Sequence, residues 1–528
     1  MQRPGTITGG LLALGLCWGS SAGCQPPSKP YTCGAGGSAS TGVGGGSGGQ
    51  AGAGTPEVGG GEGGANDLPP AEPRDSPAAG LEVVTSDDSV TDIQIAVHER
   101  VNTVLVVRWN QTEAADATWL DFGLAGEPRM TSPPGSGALG AHREVVLGVP
   151  GDAEVSVRVV SKRGETAYQS SEHRFRTLPV PSRIPKPEVL SYRRELASSE
   201  RWLFGSVEDS VGGSPYNYYL NTFWLYIIDR QGRVVWYYAD PSSNATTSFQ
   251  RRARDGAYIV LEKRCFSCVG FEESIVKMTL DWSRFEVIPV SGLADAIDVT
   301  SDGSVLYDAE DELRELLPDG EVRTIWSCRQ HFGRGLSCYT NTINWDPVRD
   351  TVLMSYPYSG TVVEIDRKSG DLVGQYGNAR GSWRFGPPES SPPEAWKFEF
   401  QHFPNFTPSG SLLVSSHMPG CTRTEVPVAN QHAFVEFDVD RTRQRLTERW
   451  RYTEGPEWPR AKGMAIRLEN GNTLANYGTG GVIREITPGK QTAWHVKFDA
   501  PAGDDFFNKM VGHNELIDDL YALNGPAR

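Results

Sequence analysis

Apolar residues in this chain come in strand-length runs, paired across short turns. The stretch Phe398–His417, FEFQHFPNFTPSGSLLVSSH, shows the plan. One strand carries Phe403 and Phe406, a turn falls at Pro408-Ser409-Gly410, and a return strand carries Leu412, Leu413 and Val414. The same hairpin recurs at Phe249–Leu261, Ala294–Tyr307, Asn341–Ser355 and Met464–Tyr477, with turns at Asp255-Gly256, Asp302-Gly303, Asp346–Asp350 and Asn470-Gly471. A second hairpin alternates with it: an apolar strand, an acidic or glycine turn, and a strand often ending in an aromatic. Its copies are Phe223–Tyr238, Ile275–Ile288, Glu312–Trp326, Thr361–Tyr376, Ala433–Trp450 and Val482–Val496. Trp202–Val207 reads as an earlier inner strand, and Gly512–Leu523 as the segment that completes the set.

Four strands repeating at about 40–60 residues predict a β-propeller, and the outer hairpins predict six blades across residues 190–528. A ring of seven or eight with degenerate blades is the alternative. Upstream, residues 81–180 hold strand-length runs at Thr103–Trp109, Ala117–Gly123, Arg143–Gly148 and Ala153–Ser161. In the last, Val155, Val157 and Val159 alternate with Ser156 and Arg158, so one face is buried and the other wet. This spacing predicts a β-sandwich. It resembles a fibronectin type III domain, with Trp109 as its core tryptophan, and its default role is spacer or docking module. The proline-rich joint Leu178–Pro187 separates the two units. The fold class is therefore all-β, a sandwich followed by a six-bladed propeller.

Composition changes this picture mainly at the N-terminus. Arg3, the apolar run Leu11–Trp18 and the small residues Ser20-Ser21-Ala22-Gly23 read as a signal peptide over residues 1–23. Cys24 follows as in a bacterial lipobox, although Ser21 stands where an aliphatic residue is usual. Ordinary secretion with cleavage nearby is the alternative. From Gly34 to Ala65, 16 of 32 residues are glycine. Residues 24–80 are too poor in apolar surface to offset their ordering entropy and read as a flexible tether. The expected location is the cell envelope, by way of a lipid on Cys24. Export makes disulfides accessible. The spacing of Cys328 and Cys338 suits a loop-closing bridge, and Cys265 and Cys268 read as a redox or zinc pair, a structural disulfide or free thiols. Cys33 and Cys421 complete the set. With a formal net charge of −15, nucleic acid and anionic membrane surfaces are unsupported as partners. No internal apolar run is long enough to span a bilayer. A monomer is expected.

In a propeller the first strand of each blade lines the central channel, so the starts of the inner hairpins are predicted to converge. They are Gln250-Arg251-Arg252, Asp295–Asp298, Tyr339-Thr340-Asn341, Gln401-His402, Lys462-Gly463 and His513-Asn514. Asn341, Tyr339, Gln401, Arg252, Lys462 and His513 are the substrate-binding candidates, and their cationic, hydrogen-bonding character suits a small anion. His402 is the only histidine in a Gln-His pair at such a start. Its structural alternative is a strand-end histidine bonded to neighbouring backbone. His417 and His432 read as surface or loop residues, and His331, between Cys328 and Cys338, as a loop residue with the alternative of overhanging the funnel.

The block from Tyr192 to Leu523 resembles the bacterial arylsulfotransferase family, six-bladed enzymes that move a sulfuryl group between phenols. The resemblance rests on YIIDRQGRVVWYY, on NTINWD with DTVLMSY, on TVVEIDRKSGDLVGQYG, on the QH-x-P-x-F-x-x-x-G hairpin and on KGMAIRLENGNTLANYG with GGVIREITP. It implies a covalent sulfohistidine on His402, aryl-sulfate and phenolic substrates, and no metal or cofactor. A neutral imidazole is nucleophilic near neutral pH, which agrees with that role. The family's His-x-Asn motif falls on Tyr339-Thr340-Asn341, with Tyr in place of His. Its Ser-x-Arg falls on Ser355-Tyr356-Pro357, without Arg, and its His-Asp on Ile297-Asp298, without His. Each lost oxyanion donor costs roughly 10²–10³ in rate. Two expectations follow: ping-pong sulfuryl transfer through His402, or a non-catalytic envelope protein that binds a small anion, a glycan or a protein.

Overall fold

The computed structural model describes residues 77–209, 223–239, 249–253, 257–264, 272–386, 398–417, 432–453, 462–499 and 510–525. The expected leader, Cys24, the tether up to residue 76, Cys33, Cys265, Cys268, Cys421 and the Asp255-Gly256 turn lie outside the described residues. The described chain is all-β, built from many small sheets, none of which closes on itself.

Two sheets form the N-terminal unit. One places Glu154–Arg163 between Ala117–Leu124 and Thr166–Gln169, and the other places Leu105–Gln111 between Val90–Val97 and Gly140–Val146. Val155, Val157 and Val159 are buried while Ser156 and Arg158 are partly exposed, as the alternation requires. They share one core with Leu105, Trp109, Leu120 and Phe122. The unit is not a free spacer. Val101, Val104, Leu147 and Ile184 belong to the same apolar cluster as Trp202 and Trp236. The Thr103 hydroxyl donates to the Val235 carbonyl at 2.8 Å, and the Tyr521 hydroxyl to the Val145 carbonyl at 2.8 Å.

From residue 186 onward the described strands fall into six sheets. Three follow chain order from edge to edge, beginning with Gln250–Arg252, Leu293–Val299 and Thr342–Asp346, and a fourth does so from Glu399–Phe406 to Arg445–Tyr452, beyond which the earlier Arg384–Gly386 pairs in parallel. The other two mix the chain's distant parts. Lys186–Tyr192 pairs with Thr492–Asp499 at the outer edge of the sheet that begins with Met464–Arg467. Val511–Ile517 pairs with Trp202–Glu208 and so begins the sheet that continues through Phe223–Asp229 and Val234–Ala239. Trp202–Val207 is thus not an inner strand. It lies second in its sheet, paired on both edges and buried throughout. A run buried on both faces has no alternation to reveal its place in a sheet.

The turn glycines do what the hairpins ask of them. Gly303, Gly410 and Gly471 hold φ of 84°, 84° and 86°, a region costly for other residues. Each donates its N–H three residues back, to Thr300, Thr407 and Leu468. Asp350 takes the corresponding strain at φ 54°.

A repeated Asp-Arg after the third strand ties neighbouring sheets together. Arg367 Nε reaches Glu315 of the preceding sheet at 2.9 Å, Arg441 reaches Glu364 at 2.8 Å, and Arg230 reaches Glu485 at 2.9 Å. The three glutamates are fully buried. Removing one partner of such a pair leaves an uncompensated buried charge, so these arginines fix how adjacent sheets sit. Cys328 and Cys338 form a disulfide that closes the loop after Val322–Ser327.

Candidate functional site: the two ends of the inner strands

The six innermost strands are joined side to side by one bond after another. Gln250 Nε2 donates to the His513 carbonyl at 2.6 Å, and Arg251 pairs with Asp298 at 3.1 Å. Asp298 in turn accepts from the Trp345 backbone N–H at 2.7 Å. Asn344 donates to the Pro404 carbonyl at 2.8 Å and Asn405 to the Ala465 carbonyl at 2.7 Å. Asn476, in the strand beside Met464–Arg467, donates to the Gly512 carbonyl, which returns the circuit to Val511–Ile517. Each bond is worth about 1 kcal/mol. Together they hold the six strands in one register, with leading ends on one side and trailing ends on the other.

His402 lies at the leading ends, in a distorted strand. Glu399–Phe406 shifts register on both sides of it, between Glu399 and His402 and again between His402 and Asn405. Phe400 and Phe403 carry positive φ of 46° and 53°. Bulges re-aim side chains, and strain of this kind gathers at functional sites. The His402 imidazole stacks on Phe249 at 6.3 Å between centroids, tilted by 17°. Lys462 Nζ lies 4.6 Å from the centroid of the same Phe249 ring. Tyr339 and Tyr358 rings are 5.3 Å apart, and Tyr358 meets Phe400 edge-on at 6.4 Å.

Beneath this aromatic collar is a buried charge cluster that sequence reasoning missed. Arg264 pairs with Asp295 at 2.8 Å and with Glu262 at 3.5 Å. Asp308 accepts backbone N–H bonds from Asp295 at 2.9 Å and Ala296 at 2.7 Å. Its other oxygen has no partner among the described residues. Burial and the neighbouring Asp295 carboxylate push the Asp308 carboxyl up to about 8, so it is a neutral acid at pH 7. Burial also works against ionised Asp295. There the charges of Arg264 and Lys462 and a hydrogen bond from Tyr339 outweigh it and hold that carboxyl below its ordinary value. Loss of hydration pushes the Lys462 ammonium below the ordinary lysine range.

The structure divides the seven site candidates between the two ends. His402, Lys462 and Tyr339 gather at the leading ends. Asn341 joins them through its amide, which donates to the Gln401 carbonyl at 2.9 Å. Gln401 is a structural tie: it is buried and donates to Ser355 Oγ at 3.2 Å and to the Thr361 carbonyl at 2.9 Å. Arg252 and His513 line a cavity at the trailing ends instead. Arg252 pairs with Glu515 at 2.8 Å, and the His513 ring lies 5.2 Å from Phe403. The cations expected to converge at the inner strands lie beside carboxylates at both ends.

His432 is a correction. It is buried in His432–Asp440, and its Nε2 shares a 2.8 Å hydrogen bond with Ser415 Oγ, the residue paired opposite His402. His331 is exposed beside Trp326, in the short helix within the disulfide loop. The side chain of His417 lies outside the described set.

No protein-family model and no curated protein matches this chain. Among solved structures, a protein of unknown function from Bacteroides caccae is 15% identical, covers 60% of this chain and 99% of its own, and gives a TM-score of 0.36. A protein of unknown function from Bacteroides thetaiotaomicron is 10% identical over 78% of this chain and 100% of its own, at 0.34. Virginiamycin B lyase from Staphylococcus aureus is 11% identical over 63% of this chain and 99% of its own, at 0.35. At these TM-scores the likenesses carry no assignment of fold or activity.

Proposed function

We propose that this chain is an exported, lipid-anchored protein with a fibronectin-like sandwich and a six-bladed propeller, and that it binds a small aromatic ligand at the leading ends of the inner strands without transferring a sulfuryl group. The six sheets, the circuit of bonds between their first strands and the Asp-Arg ties between their outer strands support the propeller. The observation that carries the binding reading is the charge balance. Arg264 and Lys462 stand against the Glu262 and Asp295 carboxylates, with Asp308 neutral, so the cluster has no surplus positive charge for a sulfuryl group. The Tyr339, Tyr358 and Phe400 rings offer faces and edges to an aryl group.

The second reading is sulfuryl transfer, favoured by the double register shift that singles out His402. An imidazole nitrogen would attack sulfur, the sulfur–aryl oxygen bond would break with the phenolate leaving, and an acceptor phenol would then take the group as the nitrogen–sulfur bond breaks. Incubation with 4-nitrophenyl sulfate and phenol separates the two. The binding reading expects no nitrophenolate, with saturable heat on titration with phenol alone. A nitrophenolate burst stoichiometric with protein, lost in His402→Ala, would overturn it.

A further inference from the structure

A surface hollow of about 590 Å³ opens where three segments meet. They are residues 334–337 of the disulfide loop, the short turn Pro357–Ser359, and residues 378–380, which follow the strand Leu372–Gly377. Ser337 stands two residues before Tyr339, and Ser359 follows Tyr358 directly, so the hollow sits at the outer margin of the leading ends. Its frame is fixed. The Cys328–Cys338 disulfide closes the first segment, and the Ser337 N–H donates to Ser359 Oγ at 3.0 Å. The third segment is pinned three times. The Asn378 N–H donates to the Gly360 carbonyl at 2.9 Å, the Ala379 N–H to Thr361 Oγ1 at 3.1 Å, and Gln375 Nε2 to the Arg380 carbonyl at 3.0 Å. Gly360 holds φ of 52°, and a Cβ there would come within 2.5 Å of Asn378 Nδ2, so glycine is what lets that amide lie over the backbone.

Many exposed arginines of this chain stand beside carboxylates, as Arg174 does beside Glu154, Arg176 beside Asp152 and Arg443 beside Asp440. Arg334 and Arg380 line the hollow and are exposed, yet neither guanidinium makes a hydrogen bond or ion pair among the described residues. The Ser337 hydroxyl and the Asn378 side-chain amide are likewise unbonded among the described residues. No carboxylate among them lines the hollow. In a chain of net charge −15, this is a patch of donors and positive charge with no internal answer.

We infer that the hollow binds a tetrahedral dianion, as phosphate, sulfate or a phosphate monoester presents, between the guanidinium groups of Arg334 and Arg380. Each guanidinium is a fork of donors that takes an oxyanion two oxygens at a time. Two forks in one hollow suit a group with oxygens on more than one side. A tetrahedral dianion supplies them and balances both charges, whereas a planar carboxylate answers one fork. A cation would be repelled, and an apolar ligand would strip water from both arginines without replacing it. Ser337 and Asn378 add neutral donors on the same lining. The frame is set before a ligand arrives, which lowers the cost of binding. These groups lie outside the aromatic collar, and the inference does not depend on what the collar binds.

The test is calorimetry on the full chain at about pH 8, where a phosphate monoester is doubly charged, and about 0.15 M salt, where distant charges are screened. Inorganic phosphate, sulfate and glycerol phosphate are the tetrahedral probes. Acetate and malonate are the contrasting ones, the second a dianion with planar groups. At least one tetrahedral probe should give saturable heat with Kd near or below ~1 mM, and acetate and malonate should bind at least several-fold more weakly. A stronger response to the ester than to the free ions assigns the site to a phosphorylated molecule, and the reverse assigns it to the free ion. Arg334→Gln and Arg380→Gln should each weaken binding roughly tenfold, as for a lost bond to a charged group, and the double variant should abolish it. The unfolding midpoint should not move, because both side chains are exposed and unpaired. Absence of heat from every tetrahedral probe would overturn the inference, as would heat that survives the double variant or a preference for acetate or malonate. Phenol binding is scored separately, and its absence would sink the collar's binding reading while leaving these outcomes unchanged.

Discussion

At the leading ends of the inner strands, Arg264 is enclosed by Glu262 and Asp295, and Lys462 lies over Phe249. At the trailing ends, Arg251 and Arg252 are adjacent in one strand, yet Arg251 is 4% exposed and opens onto a cavity while Arg252 is paired at its rim. Both ends match cations to carboxylates. They differ in what is left over. The leading end keeps a protonated acid, Asp308, and a collar of rings, whereas the trailing end keeps an arginine donor and a space beside it. Charge type alone therefore says little about the ligand. The space at each end and the groups that line it say more.

The sharpest way to break this comparison is to remove the central arginine from each end. Arg264→Met leaves two buried carboxylates without their cation and should cost about 3–5 kcal/mol in denaturant unfolding. Arg251→Met should cost less, roughly 2–3 kcal/mol, as expected for lost bonds to a charged group. Asp298 would still accept from the Val299 and Trp345 backbone N–H groups at 2.8 and 2.7 Å. Equal losses at the two ends would show that both arginines serve only the fold.

The sequence made the hairpins legible because their turns need glycine at positive φ, and Gly303, Gly410 and Gly471 mark three of them. Which strand comes first in a sheet was less legible. Trp202–Glu208 and Val511–Ile517 are both nearly uniformly buried, and nothing local tells a first strand from a second. The position of His402 at a strand start could be read, but its bulges could not, since Phe400 and Phe403 are ordinary strand residues in composition. The cluster of Arg264, Asp295 and Asp308 escaped notice because it spans strands of two sheets. One overlooked signal was present: the recurring Asp-Arg at Asp229-Arg230, Asp366-Arg367 and Asp440-Arg441.

Titration should separate the ends next. In the folded chain Asp308 holds its proton up to about 8, whereas in the unfolded chain it loses it near the ordinary aspartate value. Between those values the native state binds the extra proton, so this contribution is fully present in acid, falls as pH rises, and is spent above about pH 8. The slope is at most roughly 1.4 kcal/mol per pH unit, or about 2–3 kcal/mol between pH 6 and 8. Asp308→Asn should flatten stability across that window. Asp295, held low, acts in the opposite sense and only in acid, where its contribution is lost as pH falls through its folded value. An unchanged slope in Asp308→Asn would remove the neutral acid from the leading end and with it the charge balance argued for that site.

His402→Ala should be mild for folding, roughly 1 kcal/mol, because the side chain is partly exposed and contributes a ring stack rather than core packing. Its effect should appear in calorimetry with phenol, as weakened binding, while the trailing cavity is untouched. A loss of several kcal/mol would mean that the bulges on either side depend on the imidazole, and that His402 is a structural residue.

The smallest effect is expected next in sequence to one of the larger ones, and this makes it the cleanest comparison. Arg252 follows Arg251 directly, and its pair with Glu515 has nearly the same length, 2.8 against 3.1 Å. Distance therefore predicts equal worth. Exposure predicts otherwise: the Arg252 side chain is 41% exposed and that of Arg251 5%. Water and salt screen the first pair, which leaves it about 0–1 kcal/mol. Arg252→Ala should accordingly lower the unfolding midpoint slightly at low ionic strength and not at all in about 1 M salt, where the screening length is about 3 Å. The Arg251→Met deficit should persist in the same salt, since both side chains of that pair are nearly buried. A salt-insensitive loss at Arg252 would show that its guanidinium is held as firmly as its neighbour's.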